Sequence, residues 1–255
     1  MNKHKETLNY WNGRFSENGI LSTGYTDALI NKFDDKVRWK IFLKEAALKQ
    51  GDKILDVGCN YGPWSIRLAK KKMIVTGIDI IEEAIQVAKL NAAKESLAVN
   101  FEKVSVEDAS FADHEFDKII SITVLQHIIS DISFLKAIEN ISRQLKNNGR
   151  LIMIESAPDH KIKEKLSFKR ERTLQDQIKI LEQSGLKLIK LKGVFNFSVK
   201  WYYGIQKFSL PKKIENFIQY IGILVLSPLD HFLSRFEKIS NHSNLKLMIL
   251  KKVNG

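Results

Sequence analysis

The sequence predicts a doubly wound α/β domain on a mostly parallel sheet of about seven strands, and three observations carry the prediction. From residue 53 onward, short β-rich apolar runs alternate repeatedly with longer stretches of helical periodicity. Polar residues collect directly after those runs, where an open α/β sheet places its ligands. The chain has 255 residues, 44% of them hydrophobic, with only 13 Gly and 4 Pro, which suits one large domain with an appended subdomain and leaves no composition for long linkers.

The elements follow in order. Residues 1–36 hold Tyr10, Trp11, Phe15 and Tyr25 in a mostly helical, polar setting and read as an N-terminal helical cap. The core is expected over 37–194. Lys53–Cys59 reads as a buried strand, and Gly62–Lys72 as a helix opened by Pro63, whose missing N–H costs nothing in a first turn. Ile74–Ile80 is the next strand. Glu82–Ser96 is a helix with acids at its start and Ile85, Ala88 and Ala92 at helical spacing. Strands are expected at Asn100–Val106, Lys118–Thr123 and Arg150–Glu155, with a helix over Asp131–Leu145 stopped by Asn147-Asn148-Gly149. Leu174–Gln183 reads as a helix ended by Gly185, Leu186–Val194 as a strand, and Asn244–Lys252 as a final edge strand within 244–255. Strands separated by helices pair in parallel in a sheet covered on both faces.

Between the last two strands, residues 195–243 form an aromatic and lysine-bearing insertion, including Phe195, Phe197, Trp201, Tyr202, Tyr203, Phe208, Phe217 and Tyr220. Its apolar stretch is too short to cross a bilayer. It suits plain packing on the sheet, an acceptor pocket, or contact with a membrane surface or lipid-linked acceptor. Charge sharpens this. The net +12 resides almost wholly in residues 160–255, with 19 Lys+Arg against 7 Asp+Glu, so any attraction to a polyanion belongs to that third. One cysteine, Cys59, excludes an internal disulfide and any multi-thiolate metal site; no metal is expected, and a reducing cytoplasm is the expected compartment.

The strand ends supply the candidate ligand groups: Asp56-Val57-Gly58-Cys59-Asn60-Tyr61-Gly62 after the first strand, Asp79 after the second, Glu107-Asp108 after the third, and Gln126-His127 after the fourth. A dinucleotide fingerprint would need three glycines, and Asn60 and Pro63 leave two of them absent. The arrangement acidic-x-Gly-x-Gly-x-Gly fits Asp56, Gly58 and Gly62 and misses only at Asn60, a residue that tolerates left-handed backbone. LDVGCNYG, then GID at 77–79, VED at 106–108 and FDKIISITVLQHI at 116–128, in that order and spacing, resemble the class I S-adenosylmethionine-dependent methyltransferases. The resemblance covers roughly residues 37–194 and implies a Rossmann-like sheet with S-adenosylmethionine as cofactor.

It also implies roles. Gly58 and Gly62 would let backbone approach the cofactor, Asp56 would fix the loop, and Asp79 would accept from both ribose hydroxyls. Asp108 would accept from the adenine amino group beside Glu107, with Val106, Ile80 and Ala109 as walls of the adenine slot. Arg38, eighteen residues before Asp56, corresponds to a position where some members carry an arginine for the methionine carboxylate.

Methyl transfer from a sulfonium is an in-line displacement with a good leaving group, so positioning supplies much of the rate and a general base helps when the acceptor is a hydroxyl. His127, after the fourth strand, is the first candidate base and His160, after the fifth, the second. Ser121-Ile122-Thr123-Val124 lacks the Asn/Asp-Pro-Pro-Tyr motif of enzymes that methylate base amino groups, which disfavours nucleobases. The expected reaction is O-methylation of a small molecule or saccharide, lipid-linked acceptors included. The rival readings are a catalytically inactive cofactor-binding scaffold and an RNA methyltransferase drawn to its substrate by the basic C-terminal third.

Overall fold

The computed structural model describes residues 3–18, 28–161, 168–194, 201, 204–233 and 243–253. Seven strands form one sheet: β1 (Lys53–Val57), β2 (Ile74–Asp79), β3 (Asn100–Lys103), β4 (Phe116–Ile122), β5 (Leu145–Ser156), β6 (Leu186–Gly193) and β7 (Leu245–Lys252), in the order β3-β2-β1-β4-β5-β7-β6. Strands β1 to β5 pair in parallel, and β7 runs antiparallel between β5 and β6. The helices are α1 (Lys3–Asn18), α2 (Ala28–Glu45), α3 (Pro63–Lys70), α4 (Glu82–Lys94), α5 (Asp131–Gln144), α6 (Leu174–Gln183) and α7 (Lys212–Leu233).

The period-2 alternation of side chains along a strand explains the two-sided core. Leu55, Val57, Ile119, Met153, Met248 and Leu250 point to one face, where they pack with Phe134, Ala137, Ile138 and Ile141 of α5. Ile54, Ile120, Ile152, Ile154, Leu247 and Ile249 point to the other, with Val37, Ile41 and Phe42 of α2 and Trp64 and Leu68 of α3. Both faces being apolar, the strands read as continuous hydrophobic runs.

Three expectations need correction. Asn244–Lys252 is not an edge strand: β7 is hydrogen-bonded on both sides, and the edge position belongs to β6. Its backbone groups bond to β5 on one side and β6 on the other, and its four consecutive buried apolar residues, Leu247 to Leu250, suit a strand covered on both faces. The boundary at residue 36 falls inside α2, a continuous helix whose C-terminal half is pinned to the sheet by Val37, Ile41 and Phe42. The helix before β5 ends at Gln144, earlier than Asn147-Asn148-Gly149, which instead lies in β5 beside an irregularity in the β4–β5 register, with Asn148 at φ 63°.

Strand order reverses between β2-β1 and β4-β5, so the loops leaving β1 and β4 diverge and open a crevice at their carboxyl ends.

Candidate active site

A cavity of about 880 Å³ occupies that crevice, within the range that holds a sizeable ligand. Its floor is the β1–α3 loop. Gly58 and Cys59 both donate to the Ile78 carbonyl oxygen, at 2.8 and 2.9 Å, clamping the loop to β2. The chain then turns through positive φ at Gly58 (70°), Asn60 (47°) and Gly62 (83°). A Cβ on Gly58 would lie 2.4 Å from the Val124 side chain, so close packing against the loop after β4 demands glycine there. Asn60 keeps its left-handed backbone with its own amide oxygen, which accepts from Tyr61 N at 2.6 Å.

Two carboxylates hold this loop. Asp56 is buried, and its Oδ2 accepts from the buried Ser65 Oγ of α3 at 2.6 Å; burial pushes its pKa up to about 7. Asp79 ends β2 and spans the turn: Oδ2 accepts from Asn60 N at 2.9 Å, Oδ1 from Ile81 N at 3.0 Å. Burial raises its pKa as well, against those backbone bonds. An ionised carboxylate offers about four acceptor positions, so Asp79, which lines the cavity, retains acceptor capacity for a ligand beyond its backbone bonds.

Across the cavity, the loop after β4 is fixed from beneath by Glu155 of β5. Its Oε1 accepts from Ser121 Oγ, Val124 N and Leu125 N at 3.0, 2.9 and 3.0 Å, and its Oε2 accepts from Gln126 N at 3.3 Å. Burial lifts the Glu155 pKa to about 7 against these four bonds. The turn carries Thr123 at φ 57°, an outlier for a β-branched residue, with its hydroxyl donating to the Ile122 carbonyl at 2.7 Å. The short 3-10 turn Leu125–His127 follows. There His127 Nδ1 lies 2.9 Å from the Phe168 carbonyl oxygen, which can only accept. That contact assigns the proton to Nδ1 and leaves Nε2 as the lone-pair nitrogen, which accepts from Gln126 Nε2 at 3.3 Å. Burial depresses the His127 pKa to about 4, so the ring is neutral through the physiological range.

Aromatic side chains from the N-terminal helix complete the wall. Trp11 meets His127 edge-on at 4.7 Å between centroids, and Tyr10 stacks on Phe168 at 3.8 Å. Phe15 lines the cavity too, whereas Tyr25 lies outside the described residues. Arg38 of α2 also reaches the cavity, already paired with Asp34 at 2.5 Å and donating to Thr123 Oγ1 at 3.4 Å. Its neighbour Asp35 is taken up by α3, accepting from Trp64 Nε1 at 2.9 Å and pairing with Arg67.

The expected site residues are therefore mostly assembled. Asp56, Gly58, Asn60, Gly62 and Asp79 form one loop system, and Asp56, Gly58, Asn60, Asp79, Ile80, Val106, Glu107, Arg38 and His127 all line the cavity. Three depart. Asp108 points out to solvent, with its side chain 63% exposed, salt-bridged to Lys136 at 2.8 Å and accepting from Ser105 Oγ at 2.8 Å; the one-turn coil Ser105–Ala109 rotates it away while Glu107 faces inward. Ala109 is buried in the core on the α5 side and does not line the cavity. His160 is exposed beyond β5 and is absent from the cavity wall. Glu155, Thr123, Trp11 and Phe168 were not singled out as site residues; only the aromatic enrichment of the first fifty residues hinted at Trp11. Among the described residues no cluster of His, Cys, Asp and Glu could hold a metal ion.

Comparison with known proteins decides the family. Residues 48–208 match the model of a methyltransferase domain, more than half of the chain. The chain belongs to this methyltransferase family. The class I S-adenosylmethionine-dependent resemblance is thereby shown, and the fold agrees. A ubiquinone biosynthesis O-methyltransferase of Coxiella burnetii is 35% identical over 115 residues, 45% of this chain. The match spans 47% of that relative, so the chain covers about half the length of the curated relatives it matches. Among solved structures, phosphoethanolamine N-methyltransferase 2 of Haemonchus contortus, in complex with S-adenosyl-L-methionine, superposes with TM-score 0.65 at 17% identity, covering 96% of this methyltransferase-family chain and 60% of that one. The [4+2]-cyclase SpnF superposes with TM-score 0.62 at 17% identity, over 87% and 82%. At such identity these two likenesses concern the fold, which hosts more than one chemistry.

Proposed function

We propose that the protein is an S-adenosylmethionine-dependent methyltransferase that O-methylates a small molecule. The observation that carries this reading is the pairing, in one cavity, of Asp79 beside the Gly58–Gly62 loop with a neutral His127 whose Nε2 is unprotonated. The donor set suits an adenosyl ligand. Asp79 offers its remaining acceptor capacity to a vicinal diol, Glu107 lies next along the wall with Val106 and Ile80, and Arg38 supplies a cation for a carboxylate. When bound, S-adenosylmethionine contributes an electrophilic methyl group on a sulfonium.

The protein's own residues do the rest. The loop and Asp79 fix the ligand's position, and the Trp11, Tyr10 and Phe168 wall excludes water from the acceptor end. Nε2 of His127 exchanges the long contact from Gln126 for the acceptor hydroxyl and takes its proton as the oxygen attacks, because Nδ1 is committed to the Phe168 carbonyl. The aromatic wall favours a flat, apolar acceptor carrying a hydroxyl, in keeping with the name of the ubiquinone biosynthesis relatives.

Calorimetric titration of S-adenosylmethionine tests the site. Asp79→Ala removes two charge-assisted bonds of roughly 1.5–3 kcal/mol each, so affinity is expected to fall by about two orders of magnitude or more. Unchanged affinity refutes the assignment. Transfer of labelled methyl to a panel of phenols and sugars tests the reaction; tight cofactor binding with no product from any acceptor would replace the enzyme with a binding module.

A further inference from the structure

The helix α7 is built inside out. Its inward positions are Glu215, Gln219, Ile223 and Asp230, all buried, while Ile214, Phe217, Ile221, Val225 and Leu229 stand at 50%, 66%, 42%, 64% and 40% exposure. Positions 214, 217, 221 and 225 recur at the spacing that lays them along one face of a helix. Just ahead of the helix, Phe208 is 70% exposed, and Trp201 lies across the helix at Gly222, where any Cβ would meet the indole nitrogen at 1.8 Å. A water-soluble helix buries the opposite face. The helix packs on α2, whose Asp34 senses the charge of the buried Asp230.

We propose that this face of α7 lies in the surface of an anionic phospholipid membrane. Charge complementarity selects that occupant. Among the described residues, the exposed charges of α7 and the turn before it are Lys207, Lys212 and Lys213, all basic, because both acids of the helix are turned inward. They sit at the edge of the apolar stripe, as in interfacial helices that seat aromatic and aliphatic side chains below the headgroups and lysines among them. The surrounding third of the chain carries the whole +12 excess. Among the described residues no helix is long and apolar enough to cross a membrane, which fits a helix lying on the surface. Lys212 reaches back to Glu215 at 3.0 Å while its side chain stays 71% exposed, and no exposed acid of α7 would meet these lysines across a second copy. The seat also has a consequence for access: α7 packs on α2, which bears the cavity-lining Asp34, Asp35 and Arg38, so an acceptor dissolved in the bilayer would be presented to the cavity side of the protein. The membrane seat itself stands independently of methyl transfer.

Flotation of the full chain with vesicles tests it, comparing pure phosphatidylcholine with an equal mixture of phosphatidylcholine and phosphatidylglycerol. The protein is expected to float with the mixed vesicles and remain free with the neutral ones, with binding weakened by salt. Lys212→Ala with Lys213→Ala should lower binding roughly 30-fold at low salt, taking about fivefold per lysine. Phe217→Glu should abolish flotation while leaving the circular dichroism melting curve and S-adenosylmethionine affinity unchanged, since Phe217 is exposed and outside the cavity wall. Sedimentation velocity separates the rival occupant: a dimer that Phe217→Glu turns into a monomer, without vesicle binding, would overturn the proposal in favour of a second copy. Equal binding to neutral vesicles, or none to either kind, would also overturn it.

Discussion

His127 shows how a single contact sets a residue's chemistry. A histidine free in solution would titrate near ~6.5 and carry a charge in mild acid. Here the Phe168 carbonyl holds the Nδ1 proton, and burial, with Lys169 and Arg14 nearby, keeps the ring neutral down to about 4. The acid limb of kcat/KM for a hydroxyl acceptor should therefore show no inflection near 6.5 from this residue and should fall only toward pH 4. His127→Ala should reduce kcat by about 10²–10⁴-fold with cofactor affinity retained. A pH–rate profile of wild type and variant checks both; an inflection near 6.5 that vanishes in the variant would show a solvated, differently bonded ring. Asp79 and Asp108 illustrate the limit of reading single residues. Both are acids after strands, but Asp79 is held by Ile81 N two residues on and by Asn60 N of the neighbouring β1–α3 loop, whereas the turn Ser105–Ala109 decides between Glu107 and Asp108, and the composition VED is silent on that rotation.

At the scale of the element, the β1–α3 loop was legible because its requirements are local: left-handed backbone, a proline opening the helix, and a carboxylate beneath. The loop after β4 was not, because its support is distant. Glu155 lies 34 residues after Ser121, and its four bonds exist only once β5 pairs with β4. The two loops meet at Gly58 and Val124, and a double-variant cycle can apportion that contact. Gly58→Ala forces a Cβ to within 2.4 Å of Val124 and keeps φ at 70°, so we expect a loss of roughly 2 kcal/mol or more, combining about 1–2 for left-handed backbone with the overlap. Val124→Ala removes the two nearest methyl groups. In the double variant the steric part should be regained and the backbone part should persist, visible as a negative coupling energy in urea unfolding. Strict additivity would mean that the loop moves away instead of clashing. Helix α7 erred in the other direction: an apolar stripe is ordinarily core, and only the fold reveals that Glu215, Gln219 and Asp230 take the inner face.

For the whole molecule, the buried ionisable groups around the cavity make stability depend on pH in two opposed ways. Asp56 and Glu155 have folded pKa values of about 7, above the 3.8 and 4.5 of unfolded carboxyls. Between roughly pH 4 and 7 the folded state holds protons that the unfolded state has released, so their contribution is complete in acid and is lost as pH rises through 7. His127 works against them, since its folded pKa of about 4 lies below 6.5 and the unfolded chain takes up a proton that the folded chain refuses. Its contribution is complete above ~6.5 and is lost as pH falls toward 4. Each group alone is worth about 3–4 kcal/mol at most over its full shift. With two acids against one histidine, these groups together should make the protein less stable at neutral than at mildly acid pH, and substitution separates them. Glu155→Gln should flatten the decline between pH 5 and 7, and His127→Gln, which can still donate to the Phe168 carbonyl, should steepen it. Urea unfolding midpoints at both pH values measure the slopes, and all other titrating groups cancel between wild type and variant. A slope unchanged by Glu155→Gln would place the Glu155 carboxyl as an anion held by its four donors, with the turn after β4 anchored by charge.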